Sequence, residues 1–266
     1  MSSGADPAGI EWSDALVLQG GRLLAEKTAV VCEVPLNVFA NGKKMAVIAC
    51  TGNYPEELAV GYLYSEGIIR NAGDIINVEM SVAENTVRIT CMQKEGAEPE
   101  RADAPESIAS SGARGTAAST ALRPFDNKEP EALKLTPERI SMLMESMIAG
   151  AVLHNVSGGT HCAALADVSG IIVSREDIGR HNAIDMLAGY VLLNGVACED
   201  KIIVRTGRVS TEIVKKIWNM GIRLVVSISV PTSSAVRHAA EAGMTLVCGV
   251  RGGKMKIYNG KGRIAT

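Results

Sequence analysis

Aromatic side chains are scarce in this sequence: two Trp, two Phe and five Tyr among 266 residues. Few rings are on hand for stacking successive bases, which argues against single-stranded nucleic-acid binding, and the core has to be mostly aliphatic. No charge of one sign dominates. With a formal net charge of −2 and a pI near 6.1, the chain has no bulk field for holding a duplex or an anionic membrane, so any phosphate site has to be local. Long apolar runs are missing as well, none approaching the 18 residues that suggest a membrane-crossing helix. The first residues, Met-Ser-Ser-Gly-Ala-Asp-Pro, lack the basic and apolar regions of a secretory signal. A cytoplasmic, soluble protein with no nucleic-acid and no membrane partner is expected.

Several chemical signatures are absent too. The six cysteines, Cys32, Cys50, Cys91, Cys162, Cys198 and Cys248, form no Cys-x-x-Cys pair and no metal-ligand spacing with histidine. No metal site is expected, and most of these thiols read as small buried hydrophobes. Neither a Walker A motif nor Gly-x-Gly-x-x-Gly occurs, so ordinary P-loop NTPase and Rossmann dehydrogenase readings lack support. The nucleobase deaminase signature is missing as well.

What is present divides along the chain. Residues 1–27 read as an N-terminal segment. Residues 28–95 carry short β-branched runs around one helix pattern that starts at Pro55 with Glu56 and Glu57 in its first turn, which predicts a small α+β subdomain. Residues 96–134 shift to Ala, Ser, Gly, Glu and Pro, too poor in large apolar groups to offset ordering entropy, and are expected to form a mobile loop. In 135–266 a Met- and Ile-rich helix over 137–151 precedes a regular alternation. Strand-like 171–173, 202–205 and 222–228 lead to helices 183–193, 211–220 and 234–242, and strands 245–250 and 255–258 follow. Strands alternating with helices of about three turns predict an α/β domain with a largely parallel sheet.

The densest polar cluster, Arg-Glu-Asp-Ile-Gly-Arg-His-Asn-Ala-Ile-Asp over 175–185, falls at a strand-to-helix turn. Such turns gather at the carboxyl edge of an α/β sheet, where ligands bind. Two readings stand. In one, the charges only solvate a tight turn, with Asn182 capping the helix and Asp185 three residues on. In the other, Arg180 joins Arg208 and Arg251 from the following loops, with the hydroxyls of Ser210, Thr232 and Ser233 and free helix N–H groups, to hold an anion, most naturally phosphate. Gly158-Gly159-Thr160-His161 is a second candidate, because paired glycines admit close backbone approach beside a histidine.

Residues 158–161, 175–185, 207–210 (Gly-Arg-Val-Ser) and 231–233 (Pro-Thr-Ser), together with Glu33-Val34-Pro35-Leu36, 55–69 and 245–252, resemble the formate dehydrogenase accessory sulfurtransferase family, FdhD/NarQ. The resemblance implies a cytoplasmic homodimer with a cytidine-deaminase-like C-terminal domain and an added N-terminal subdomain. It implies that sulfur passes from a cysteine desulfurase, as a persulfide, to the molybdenum bis(molybdopterin guanine dinucleotide) cofactor, a bound client destined for formate dehydrogenase. With this cofactor as client, the cofactor-binding residues are expected to be Gly159, His161, Glu176, Asp177, Arg180, His181, Asn182, Asp185, Arg208, Ser210, Thr232 and Ser233, to which the family pattern adds Cys248, Gly249, Val250, Arg251, Gly252 and Gly253.

Two positions depart from the family pattern. Where the family usually has Ser-Cys-Gly-x-Cys-Gly, this chain has Ser110-Ser111-Gly112-Ala113-Arg114-Gly115, and neither Ser111 nor Arg114 can hold a persulfide. Met186 stands where a Lys usually follows the Asp. Cys162 and Cys248, each beside a ligand motif, are the candidate replacement thiols. Three functions remain open: a sulfur-transferring accessory protein, a cofactor carrier or chaperone without sulfur transfer, and a deaminase-like enzyme acting on a purine or pyrimidine.

Overall fold

The computed structural model describes residues 7–92, 125 and 133–265. Ser111 and Arg114, with nearly all of the predicted loop, lie outside the described residues. Phe125 packs its ring 6.3 Å from that of Trp218, and Leu133 is already buried in the core.

Three sheets form. Strands β1 (Ile10–Gln19) and β2 (Arg22–Val31) pair over ten antiparallel positions as a long hairpin. This hairpin, unforeseen in the sequence, leaves Trp12, Leu16, Leu18, Leu23 and Leu24 exposed. β2 also runs through the expected boundary at residue 27, so the structural break falls after Val31 instead.

The α+β subdomain is a four-stranded sheet in the order β4-β3-β6-β5, built from β3 (Val34–Ala40), β4 (Lys43–Cys50), β5 (Ile75–Ser81) and β6 (Thr86–Cys91). Helix α1 (Pro55–Ser65) covers it, beginning at Pro55 as its sequence predicts.

The larger domain places α2 (Pro137–Ala149), α3 (Val152–Ser157), α4 (Asn182–Asn194), α5 (Thr211–Asn219) and α6 (Ser233–Glu241) around six strands: β7 (His161–Ala166), β8 (Ile171–Asp177), β9 (Ile202–Arg205), β10 (Leu224–Ser227), β11 (Thr245–Arg251) and β12 (Lys254–Tyr258). The strand order is β12-β11-β10-β9-β7-β8. Its parallel part is the trio β9, β10 and β11; β7, β8 and β12 each pair antiparallel. The alternation of strands and helices predicts that trio, whereas β7 escapes it because Cys-Ala-Ala-Leu-Ala is equally a helix-like string. One sheet face packs Ala163, Leu165, Ile203, Val225 and Leu246 under α4, α5 and α6. The other packs Ala164, Val204, Val226 and Val247 under α2.

Helices α1 and α4 join the two domains by backbone contact. A Cβ on Gly61 would lie 1.7 Å from the Asp185 carbonyl oxygen, and one on Gly189 would lie 1.9 Å from that of Glu57. Between them Arg175 pairs with Glu57 at 2.5 and 2.7 Å while its guanidinium stacks 3.8 Å over the Tyr54 ring. Met186, facing this way, lies in the small subdomain's core rather than at the carboxyl edge.

Candidate functional site

Because β7 is antiparallel to both β8 and β9, strand β8 runs in the direction of β9, β10 and β11. The carboxyl ends of these four strands and the start of β7 therefore open on one edge, together with the amino ends of α4, α5 and α6. Residues 178–181, 206–210, 228–232 and 252–253 all lie there, as does the Gly158-Gly159-Thr160-His161 segment.

The polar residues of 175–185 do not act as one group. β8 continues through Asp177, so Arg175, Glu176 and Asp177 belong to the strand rather than the turn. Asp177 is fully buried and accepts from Thr51 N (2.8 Å), Thr51 Oγ1 (3.1 Å), Gly179 N (2.8 Å) and Asn182 Nδ2 (2.7 Å). Burial pushes its carboxyl up while those hydrogen bonds hold it down. Asn182 Nδ2 also donates to the Ala49 carbonyl, and the cap of α4 is His181 rather than Asn182. Glu176 accepts from Leu153 N, His154 N and Thr160 Oγ1, capping α3. Asp185 accepts from Ser65 Oγ at 2.6 Å and from Lys216 Nζ at 2.6 and 2.5 Å. The side chains of Glu176, Asp177, Asn182 and Asp185 are thus committed inside the protein, not offered to a ligand.

Other predicted positions also have structural duties. What approaches Gly159 is Val31 of the hairpin, 2.8 Å from the Cβ that glycine lacks. Ser210 and Thr232 cap α5 and α6, accepting from Ile213 N and Ala235 N. Val250 packs in the α2-side core. Gly252 and Gly253, at φ 56° and 71°, form the two-residue turn between Arg251 and Lys254, a conformation that suits glycine. Ser233, Arg208 and Arg251 are exposed at the edge, while Gly249 is half-buried and bonded through its N–H to Ser229 O.

What the edge does gather is two arginines and two histidines. Arg205, Ser227 and Cys248 stand in register across β9, β10 and β11, on the face that carries α4, α5 and α6. Arg205 is 1% exposed; its Nε donates to Thr206 O at 2.9 Å, and its Nη1 has no hydrogen-bond partner among the described residues. Arg180, half-buried, leaves its Nε unpartnered too. His161 Nδ1 lies 3.3 Å from Thr206 Oγ1 and close against Gly207. His181 is buried, with Nε2 3.1 Å from Glu212 Oε2 and no hydrogen-bond partner at Nδ1.

The electrostatics follow from this crowding. Burial, then Lys216, Arg180, Arg205 and His161, push His181 down to about 3 despite the nearby Glu212 carboxylate. His161 is lowered by burial, Arg205, Arg180 and His154. Burial first, and Arg180 second, lower Arg205 to about 9; a guanidinium still keeps its charge at neutral pH. Sequence reasoning missed Arg205 because it completes the apolar run Ile202-Ile203-Val204. A charge at the end of a run buried on both faces was the available signal.

The two proposed replacement thiols are buried. Cys162 is 1% and Cys248 0% exposed, and burial pushes each up to about 12, so proximity to His161 does not activate Cys162. Among the described residues, no group of three or more His, Cys, Asp or Glu is placed to hold a metal ion. No helix there is long and apolar enough to cross a membrane.

This arrangement has known relatives. The FdhD/NarQ family profile matches residues 31–265. The chain belongs to the FdhD/NarQ family. It is 34% identical over 248 residues to the sulfur carrier protein FdhD of Listeria innocua, covering 92% of this chain and 95% of that one. It is 33% identical over 253 residues to the protein of the same name from Bacillus subtilis, covering 92% and 93%. A crystal structure from Desulfotalea psychrophila, described as that of a candidate formate dehydrogenase accessory protein, superposes with a TM-score of 0.82 at 21% identity, over 97% of this chain and 100% of that one. The mixed α/β architecture is therefore that of an FdhD/NarQ protein.

Proposed function

We propose that this FdhD/NarQ protein binds the molybdenum bis(molybdopterin guanine dinucleotide) cofactor at the carboxyl edge of its larger sheet and handles it, in the cytoplasm, on the way to formate dehydrogenase. The observation that carries the reading is the pair of arginines at the edge where β8 to β11 end, buried Arg205 and half-buried Arg180, each with a guanidinium nitrogen that has no partner among the described residues. Such an edge suits a client bearing diphosphates, with the amino ends of α4, α5 and α6 adding their partial charges.

Whether sulfur passes through this chain turns on its thiols. Ser111 and Arg114 replace the usual carriers, and Cys162 and Cys248 are buried and hard to ionise. These features favour a carrier or chaperone of the cofactor over a sulfurtransferase with its own persulfide. A cysteine desulfurase is a partner only in the second case. Incubation with a desulfurase and cysteine, followed by intact-mass measurement, is expected to show no added sulfur removable by reductant; added sulfur would restore the sulfurtransferase reading. The deaminase-like reading gains no donor cluster from the described residues.

Binding itself is tested by melting the full chain with GDP and with ADP. A ligand at about 100 times its Kd stabilises by roughly 2.7 kcal/mol, so GDP is expected to raise the melting temperature and ADP to raise it less. Equal responses, or none, would reject a guanine site. The homodimer implied by the resemblance is proposed with it, and sedimentation at two concentrations decides that point.

A further inference from the structure

Arg205 is a buried charge with no carboxylate partner among the described residues. Its guanidinium is buried, its Nη1 is unpartnered among the described residues, and its charged neighbour is a second arginine, Arg180. Burying a cation without a counter-charge costs far more than leaving one on the surface, and folds accept it where an anion completes the site. The carboxylates close by are engaged elsewhere: Asp185 with Lys216 and Ser65, Asp177 with Thr51, Gly179 and Asn182, and Glu212 with His181.

The surrounding groups define the missing partner. Two guanidiniums call for two negative charges on one ligand, and their forks match the oxygens of phosphate. Beside Arg205, His161, Thr206 and Gly207 are only partly buried and make this the side open to entry, with His161 3.1 Å and Arg205 Nη2 3.4 Å from the Cβ that Gly207 lacks. Any side chain at 207 would crowd that entrance.

We infer that Arg205 and Arg180 form a buried seat for one phosphate group, reached past His161 and Gly207, which takes one phosphate of the ligand's diphosphate. This rests on the cofactor reading above and adds to it: affinity is set by the phosphate before the base. It also singles out Arg205, rather than the exposed Arg208 and Arg251, as the residue on which phosphate recognition depends.

Calorimetry on the full chain separates the possibilities, with guanosine, GMP, GDP, ADP and inorganic phosphate as titrants against the parent, Arg205→Met and Arg205→Lys. Charge-assisted hydrogen bonds of this kind correspond to a loss of roughly 10- to 100-fold in affinity. Arg205→Met is therefore expected to weaken GDP and GMP by that factor, to remove the heat of inorganic phosphate, and to leave guanosine unchanged. Its melting temperature without ligand should equal or exceed that of the parent, since it loses an unpaired buried charge. Arg205→Lys keeps the charge but not the fork and should fall between.

Undiminished GDP binding by Arg205→Met overturns the seat while leaving a guanine site intact. A melting temperature and guanosine affinity that fall together mark a structural arginine and overturn it as well. Phosphate binding that depends on Arg205 without preference for guanine over adenine nucleotides keeps the seat and rejects the cofactor reading. Should Arg205→Met not fold, competition of inorganic phosphate against GDP on the parent decides: no competition refutes the inference.

Discussion

Replacing Lys216 by Met should unfold much of what holds the edge in place. Lys216 and Asp185 are 4% and 3% exposed at their side chains and meet at 2.5 Å, with Ser65 on the same carboxylate. Lys216→Met leaves that carboxylate buried with one hydroxyl for company. Breaking a buried pair in this way costs about 3–5 kcal/mol, a fifth or more of the 5–15 kcal/mol that typically separates folded from unfolded. For a chain of this size each kcal/mol moves the melting temperature by roughly 2–4 °C, so a fall of roughly 6–20 °C is expected by calorimetry or circular dichroism. The double variant Asp185→Leu/Lys216→Met removes both charges and is expected to recover most of the loss. If Lys216→Met melts within about 2 °C of the parent, or the double variant is worse than the single, the assignment of Asp185 to the interior ion pair is wrong.

Three further outcomes follow from the same geometry. At neutral pH, iodoacetamide should modify at most Cys32, the one cysteine not fully buried, and reach Cys162 and Cys248 only in denaturant; rapid native labelling of either, read by peptide mass, would reinstate it as a thiol carrier. Stability should fall as pH drops from about 6.5 toward 3, because the unfolded chain protonates His181 there and the folded one, with His181 buried and Lys216, Arg180, Arg205 and His161 around it against the Glu212 carboxylate, does not. The limiting slope is about 1.4 kcal/mol per pH unit, and His181→Gln should flatten that limb in urea titrations at stepped pH. Gly189→Ala should cost about 3 kcal/mol or more by overpacking against Glu57 O, whereas substituting the open Gly262 in the same way should cost under about 1 kcal/mol.

Much of the fold was legible. Helix starts at Pro55 and Pro137, stops at Gly195, Gly221 and Gly243, and the β9 to β11 alternation all rest on local chemistry that tertiary contacts do not overrule. β1 and β2 were not legible, since their mixed residues show neither a clean period of two nor a buried face. The site was half legible. The edge and Arg180 follow from topology, but the sequence cannot tell a carboxylate that awaits a ligand from one already met by a distant partner. Asp177 finds Thr51 at a separation of 126 residues and Asp185 finds Ser65 at 120. Arg208 and Arg251 drew notice by standing in loops, while Arg205, hidden at the end of an apolar strand, is the charge with an open valence.

With two helix backbones touching at Gly61 and Gly189, residues 133–265 are not an excisable module. A fragment starting at Leu133 would bare Met186 and Leu192, deprive Arg175 of Glu57, and cut Asp177 and Asn182 off from Thr51 and Ala49. Chimaeras between relatives should accordingly exchange α1 and α4 as a matched pair, because each supplies the groove into which the other's glycine is fitted.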